Sequence, residues 1–341
     1  MGTKQILVVG AGFAGATVAH ELAVNGFKVT VIDKRSHVGG NAYDYVNEHG
    51  ILIHKYGAHI FHTSNDSIFR WLSKFTEWTD YKHKVVAKLP SNDLVTFPPT
   101  KTFAKTMGID YIRSVLYIPY TKKMWGMSIH DIDESIINRV PIREDDNDLY
   151  FPNAEYQCLP KEGYNQLISN ILAHENITVK LNTEFSKDME DEYFHVFNSM
   201  PIDVYYDFKY GELPYRSIKF EHVHHEQYRL SHHTVINFTD KGPYTRMIEW
   251  KNFPGHGVNP SVTTVTQEMP CDYKDNDMER YYPVKDAKGI NRDIYKQYKE
   301  IPNDKTTFIG RCGMYVYIDM DQAVSSSLYI AHKFLNSLTI N

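Results

Sequence analysis

Cysteine is scarce: Cys158, Cys271 and Cys312 in 341 residues are too few and too scattered for a disulfide framework, which fits a reducing cytoplasm. Charge of one sign is also lacking. The formal net charge is −5, so nothing electrostatic points to nucleic acid or an anionic membrane surface. No window approaches the roughly 18 uninterrupted apolar residues that a membrane-spanning helix needs. The run Ile6 to Ala19 is short and apolar like a signal peptide, but no basic segment of any strength precedes it, and three glycines at motif spacing cut through it. Internal repeats and low-complexity linkers are missing too. What is present is an ordinary globular composition, 42% hydrophobic and 23% charged, in a chain long enough for two domains or one large domain with an insertion. That excludes a single small binding module. The surplus lies in rings: 25 Tyr, 17 Phe and 4 Trp, which could serve as core bulk or as a stacking surface.

Periodicity gives the coarse order. Lys4 to Val9 reads as a buried strand, Ala14 to Asn25 as a helix and Phe27 to Ile32 as a second strand, a βαβ unit that implies a parallel sheet. Ile68, Phe69, Trp71, Leu72 and Phe75 predict a helix over Asn65 to Thr79, and Val85 to Phe97 reads as a hairpin turning near Ser91 and Asn92. Thr100 to Asn138 reads as mainly helical, Arg143 to Asp148 as an acidic, solvated loop, Gly163 to His174 as a helix and Thr178 to Leu181 as a strand. From Ser217 to Gln267 one alternating strand follows another, and Asp319 to Leu338 closes the chain as a helix with Asp319 or Asp321 as its cap. Both chain ends are expected to return to the same sheet domain.

Gly10, Gly12 and Gly15 sit between the first strand and helix. Glycine there permits a tight turn, backbone approach to a pyrophosphate and close helix packing. The helix N-terminus would then face negative charge. Asp33 ends the second strand about 20 residues on, where a carboxylate accepts from ribose hydroxyls. A purely structural turn is the plain alternative, and NAD and FAD both stay open at this point. The following Asp33-Lys34-Arg35 and Gly39-Gly40-Asn41 resemble the double-glycine extension of FAD proteins of the glutathione-reductase-like and amine-oxidase-like groups. The late Phe308-Ile-Gly310-Arg311 fits the second half of that pattern, which favours FAD.

Seven ordered segments then resemble one family, the UDP-galactopyranose mutases, over nearly the whole chain. They begin with Val38-Gly-Gly-Asn-Ala-Tyr43, His54-Lys-Tyr-Gly-Ala-His-Ile-Phe-His-Thr63 and Tyr120-Thr-Lys-Lys-Met-Trp-Gly126. Arg139-Val-Pro-Ile-Arg143, Pro243-Tyr-Thr-Arg246, Tyr281-Tyr-Pro-Val284 and Tyr315-Val-Tyr-Ile-Asp-Met320 follow. The resemblance implies an isomerase that converts UDP-galactopyranose to UDP-galactofuranose with no net redox change. Reduced flavin N5 attacks the anomeric carbon, and the covalent adduct opens and recloses before UDP returns. It implies a cytoplasmic enzyme supplying galactofuranose for cell-surface polysaccharide.

The same resemblance assigns residues. Arg139 and Arg246 fall at diphosphate-clamping positions, where guanidinium stays charged and can give paired hydrogen bonds to phosphate. Tyr120, Tyr282 and Tyr317 match phenols on the same diphosphate, and Tyr150, followed by Phe151, matches the aromatic beneath uracil. Thr121 and Trp125 lie on the helix closing over nucleotide and sugar, while Asn237, Glu268 and His83 match pocket positions. Around FAD the match places Ala14, Asp33, Lys34, Gly40, Asn41, His59, Ile60 and Phe185 together with the fingerprint glycines. His62 falls beside the isoalloxazine as a catalytic candidate, Arg311, Asp319 and Met320 at its other end, and Arg216 on the flavin side.

The expected fold is α/β: a Rossmann-like FAD-binding domain, a small helical insertion and a mainly antiparallel substrate sheet. The expected boundaries are 1–75 with 185–215 and 300–341 for FAD, 98–140 for the insertion, and 76–97 with 141–184 and 216–299 for the substrate sheet. Only 22 residues separate Phe97 from Tyr120, where most relatives carry a larger helical insertion that helps make a homodimer. Its shortening weakens the expectation of that dimer. Met200 stands where relatives usually have Gly, and Gly310 is what remains of a Gly-Gly-Arg pattern. His222, His224, His225, His232 and His233 invite a metal, but no cysteine lies nearby and Glu221 and Glu226 complete no ligand spacing. They read as exposed strand histidines, and no metal is expected. Two other functions compete: an FAD oxidoreductase of the amine-oxidase type, and a catalytically idle UDP-sugar-binding relative.

Overall fold

The computed structural model describes residues 4–137 and 140–339. Its first layer is a five-stranded, wholly parallel sheet in the order Ile177–Lys180, Lys28–Ile32, Gln5–Val9, His195–Asn198, Thr306–Phe308. Ile6, Leu7, Val8 and Val31 are buried, as parallel strands covered on both faces must be. Phe13–Val24 crosses over from the first strand to the second, burying Ala16, Val18, Ala19 and Leu22, and packs against the closing helix Met320–Thr339. Each fully buried Leu, Ile or Val there contributes about 1.5–3 kcal/mol relative to exposure.

The second layer is a seven-stranded sheet in the order Tyr282–Pro283, Tyr215–His225, Thr263–Asp272, Arg246–Glu249, Val235–Phe238, Val85–Lys88, Leu94–Phe97. All its pairs are antiparallel except Val235–Phe238 beside Val85–Lys88. A smaller sheet runs in the order Phe61–Thr63, Tyr156–Pro160, Trp78–Asp80. From Lys101 to Ile137 the chain is largely helical, with Ile118–Trp125 the longest helix of that stretch. That helix is stopped by Gly126 in the left-handed region and is tied at its end to the large sheet. Among the described residues, no helix is long and apolar enough to cross a membrane.

Two expectations need correction. The helix predicted over Asn65 to Thr79 covers only Asp66–Leu72, capped by the Asn65 side chain accepting from Ile68 N–H. The chain then turns into the strand Trp78–Asp80, yet Phe75 and Trp78 still face the same core, Trp78 stacking on Phe61 and Phe69. Apolar spacing therefore outlasts the helix. The second concerns residues 141–184, expected with the substrate sheet: Ile177–Lys180 instead pairs in parallel with Lys28–Ile32 on the cofactor sheet. Its helix, Gly163–Leu172, packs on Phe13–Val24. The acidic loop is solvated as expected: Glu144, Asp145 and Asp146 are exposed, and Asp146 accepts at the surface from both the backbone N–H and the hydroxyl of Thr102.

Candidate active site

At the carboxyl edge of the parallel sheet, backbone from four segments converges. Gly10 N–H donates to Ile32 O, Ser199 N–H to Val9 O, and Ile309 N–H to Asn198 O. Gly10 has φ +101°, and a Cβ on it would stand 2.0 Å from Ser199 Oγ. One on Gly15 would stand 1.9 Å from Gly10 O. The double-glycine segment lies directly on this turn: Gly39 N–H donates to Ala11 O, and a Cβ on Gly40 would come within 3.0 Å of Gly12 Cα. Gly310 closes the other side, 3.1 Å from Ala14 Cβ by the same measure. Gly12, at the N-cap of Phe13–Val24, offers no side-chain cap to the helix's first N–H groups. A cradle made of bare backbone ahead of an uncapped helix fits a diphosphate.

Asp33 closes the turn, its Oδ2 accepting from Ala11 N–H at 2.8 Å and its Oδ1 from Arg35 N–H at 2.9 Å. Each oxygen keeps a second lone pair, so the carboxylate can still accept from a ribose. Lys34 and Arg35 both pair with Glu279, and Arg35 Nη1 also donates to Asn41 Oδ1. Phe185 packs on Leu7, Val9, Ile32 and Val196.

The large sheet aligns Asn237, Arg246 and Glu268 as directly opposed residues of three neighbouring strands, which puts their side chains on one face. Arg246 Nε donates to Asn237 Oδ1 at 3.3 Å, Nη2 donates to the Tyr120 hydroxyl at 3.4 Å, and Nη1 lies 3.6 Å from Glu268 Oε2. Burial works against the charge on Arg246, but Tyr120 and Glu268 beside it raise its pKa, so the guanidinium stays charged. Burial raises Glu268 above its ordinary value against the pull of Arg246, and raises Tyr120 in the same way. Gly57, at φ +82°, presses on the row: a Cβ there would sit 2.7 Å from Glu268 Oε1 and 2.8 Å from Phe220.

Tyr282 and Tyr317 stack at 5.3 Å, with the Arg311 guanidinium over both rings. Arg311 donates to Tyr281 O and Ile318 O, so it fastens together the two segments that carry these phenols. Trp125 is buried with Ile132 and Val284 and meets Tyr282 edge-on; Thr121 is half-buried on the same helix. Arg216 Nε donates to Met124 O and its guanidinium lies against Gly126, holding the end of Ile118–Trp125.

His62 stacks on Phe151 at 3.7 Å, and its Nε2 lies 3.9 Å from Asp319 Oδ2. His83 lies on the same ring at 5.9 Å and meets Tyr150 edge-on. Burial first, then Arg246 and His62, lower His83 to about 3, so it is a neutral imidazole. Burial likewise lowers His59 to about 4; its Nδ1 faces Gly57 O and its backbone N–H donates to His54 Nδ1. Ile60 is buried beside it, and Met320 opens the closing helix, which Asp321 ties to the Thr63 hydroxyl. Arg139, the second arginine expected on the diphosphate, lies outside the described residues.

Two supports escaped the sequence reading. Lys123 donates to Tyr244 O at 2.7 Å and Phe238 O at 3.3 Å and pairs with Asp240, anchoring the Tyr120 helix to the hairpin that carries Arg246. Gln157 is buried; its Oε1 accepts from His83 N–H and its Nε2 donates to Phe151 O, which fixes the two rings relative to each other. A lysine in Lys122-Lys123 and a glutamine in a short strand carry no spacing signal.

A family model for UDP-galactopyranose mutase matches residues 115–317, and one for an NAD(P)-binding Rossmann-like domain matches 8–75. The chain is 33% identical to a probable UDP-galactopyranose mutase of Klebsiella pneumoniae over 378 positions, covering 99% of this chain and 96% of that protein. It is 32% identical to a dTDP-fucopyranose mutase of Escherichia coli over 98% of this chain and 99% of that protein. A crystal structure of reduced UDP-galactopyranose mutase superposes with a TM-score of 0.78 at 14% identity, covering 98% of this chain and 94% of that one.

Proposed function

The chain belongs to the UDP-galactopyranose mutase family, and from that premise we propose that it interconverts UDP-galactopyranose and UDP-galactofuranose with Arg246 as the cation that receives the diphosphate. The observation that carries this reading is the Asn237–Arg246–Glu268 row, a charged guanidinium fixed on one sheet face of a chain that also carries a dinucleotide cradle. The cofactor is FAD, and the glycine turn, the uncapped helix and Asp33 are the groups that would hold it. In reduced form it supplies a nucleophilic ring nitrogen for the anomeric carbon.

The chain's own residues then have separate tasks. Arg246 stabilises the charge that builds on the diphosphate as the anomeric C–O bond breaks. Burial keeps the Tyr120 and Tyr282 hydroxyls protonated, and together with Tyr317 they donate toward the same oxygens. Glu268 and Asn237 hold the guanidinium in place, and likeness to the family assigns Arg139 to the same diphosphate. Tyr150 supplies the ring for uracil, Phe151 and Trp125 keep water from the sugar, and Thr121 lines the helix above it. His62, packed on Phe151 beside Asp319, and His59 belong to the flavin side with Ile60, Met320 and Arg311. Lys34, Asn41 and Phe185 belong to the far end of the cofactor. Residues 163–184 join the FAD-binding part in this division.

For the assembly, Ile109, Tyr111 and Ile118 are exposed on the trimmed insertion, where a homodimer contact would fall. A cytoplasmic location goes with three free cysteines.

Dithionite-reduced, flavin-loaded protein incubated with UDP-galactofuranose is expected to yield UDP-galactopyranose, and oxidised protein to be inert. Failure of the reduced protein to interconvert them overturns the reading, and turnover by the oxidised form alone points to an oxidase. Running dTDP-fucofuranose beside it tests the sugar, because the relative named for that substrate is as similar as the one named for UDP-galactose.

A further inference from the structure

Sequence spacing alone offers the strand histidines no ligand set. The fold supplies one from far away. The turn between the strands Asp44–Val46 and Leu52–His54 carries Glu48 and His49 to the far end of Tyr215–His225, where His224 stands. Glu48 Oε1 lies 3.1 Å from His224 Nε2 and 3.7 Å from His49 Nε2. Among the described residues this is the group whose three potential ligand atoms all fall within 4.8 Å of one another.

We propose that Glu48, His49 and His224 form a binding site for a divalent transition cation of the Zn2+ type. Two imidazoles and a carboxylate with water in the fourth position are an established zinc set, with ligand atoms about 3.4 Å apart around a tetrahedral ion at 2.0–2.1 Å. Small side-chain rotations bring the observed atoms to that spacing, and all three side chains are free to make them, being 30% to 67% exposed.

The surroundings are prepared for it. His224 Nδ1 lies 2.9 Å from Thr264 Oγ1, an oxygen that also accepts from Asn47 Nδ2 at 2.8 Å. The Thr264 hydroxyl engages Nδ1, which leaves Nε2 as the ring nitrogen that faces Glu48. Such a partner on the outer nitrogen is also what fixes a metal-binding histidine's tautomer and ring orientation. The same Asn47, buried, accepts from His49 N–H and Ile51 N–H, and Asn259 Nδ2 donates to His49 O, so the turn that carries Glu48 and His49 is rigid. His222, two residues back on the same face, is committed to Thr266 and stays outside the set. A cation here would fasten the hairpin of the cofactor half to the end of the long strand in the substrate sheet, independently of the reaction.

The test uses the full-length, flavin-loaded, tag-free protein stripped with EDTA and titrated with Zn2+ by calorimetry and with Co2+ by visible absorbance. One equivalent of Zn2+ should bind and raise the thermal midpoint. Co2+ should give a visible band of low-coordinate N/O ligation. His224→Ala and His49→Ala should each weaken binding by roughly tenfold or more. His225→Ala, on the opposite strand face, should leave it unchanged. Absence of saturable binding, or binding unaltered in both His224→Ala and His49→Ala, overturns the site. Both variants should keep the metal-free thermal midpoint, which separates ligand loss from misfolding.

Discussion

Around Gly10 the working groups are backbone, whereas along Asn237, Arg246 and Glu268 they are side chains. The cradle succeeds by what it omits: methyl groups that would stand 1.9 to 3.1 Å from Gly10 O, Ser199 Oγ, Gly12 Cα and Ala14 Cβ are absent. The row succeeds by what three strands add to one face, with Lys123 tying the Tyr120 helix to the hairpin that carries Arg246. One region is specified by residues a few positions apart and the other by strand register. Damage to the first should remove the cofactor, and damage to the second should leave the cofactor and remove the chemistry.

The largest effect is expected in the cradle. Gly15→Ala puts a Cβ into Gly10 O, where the neighbour is backbone and cannot swing away. Purified protein should lose most of its bound flavin, read as the visible absorbance per chain, and with it all interconversion. A variant retaining full flavin content would show that the turn can open without harm, and the contrast between the regions would fail at its first step. Next comes Arg246→Ala, which should keep its flavin absorbance and lose about 10²–10³-fold in turnover, as when a fixed donor to transition-state charge is removed. Loss of flavin in that variant instead would mean Arg246 belongs to the cofactor.

This division also explains what was legible in the sequence. The βαβ unit and the glycine turn could be read because strand, turn and helix follow one another directly from Lys4 to Ile32. Alternation between Ser217 and Gln267 likewise announced an antiparallel sheet. The row could not be read from the residues, since nothing local says that Asn237 stands opposite Arg246 and Arg246 opposite Glu268; likeness to a family supplied those positions. The same non-locality hid the parallel addition of Ile177–Lys180 to the cofactor sheet and the approach of Glu48 to His224. In Asn65 to Thr79, a core shared by helix and following strand kept the apolar spacing alive after the helix had ended.

The smallest effect separates the regions by proton binding. Beside the row, burial holds His83 at about 3, far below the ordinary histidine value of about 6.5, while the unfolded chain titrates normally. Below about pH 6.5 the unfolded state therefore carries a proton that the folded state lacks, so this stability is complete above that pH. It falls as the pH drops toward 3, with a slope approaching about 1.4 kcal/mol per pH unit. His59 and His256, each lowered to about 4, act in the same direction, whereas Asp44, raised to about 6 by burial, opposes them. Urea unfolding at pH 5, 6 and 7 should show stability rising with pH. In His83→Gln the rise between pH 5 and 6 should shrink by about 1.2 kcal/mol. A glutamine can still offer a polar partner to Tyr81, which bonds His83 Nδ1 at 3.2 Å, so the folded state at pH 7 should change less than the slope does. An unchanged slope would mean that His83 is protonated inside the protein, and the row would then hold a second cation beside Arg246.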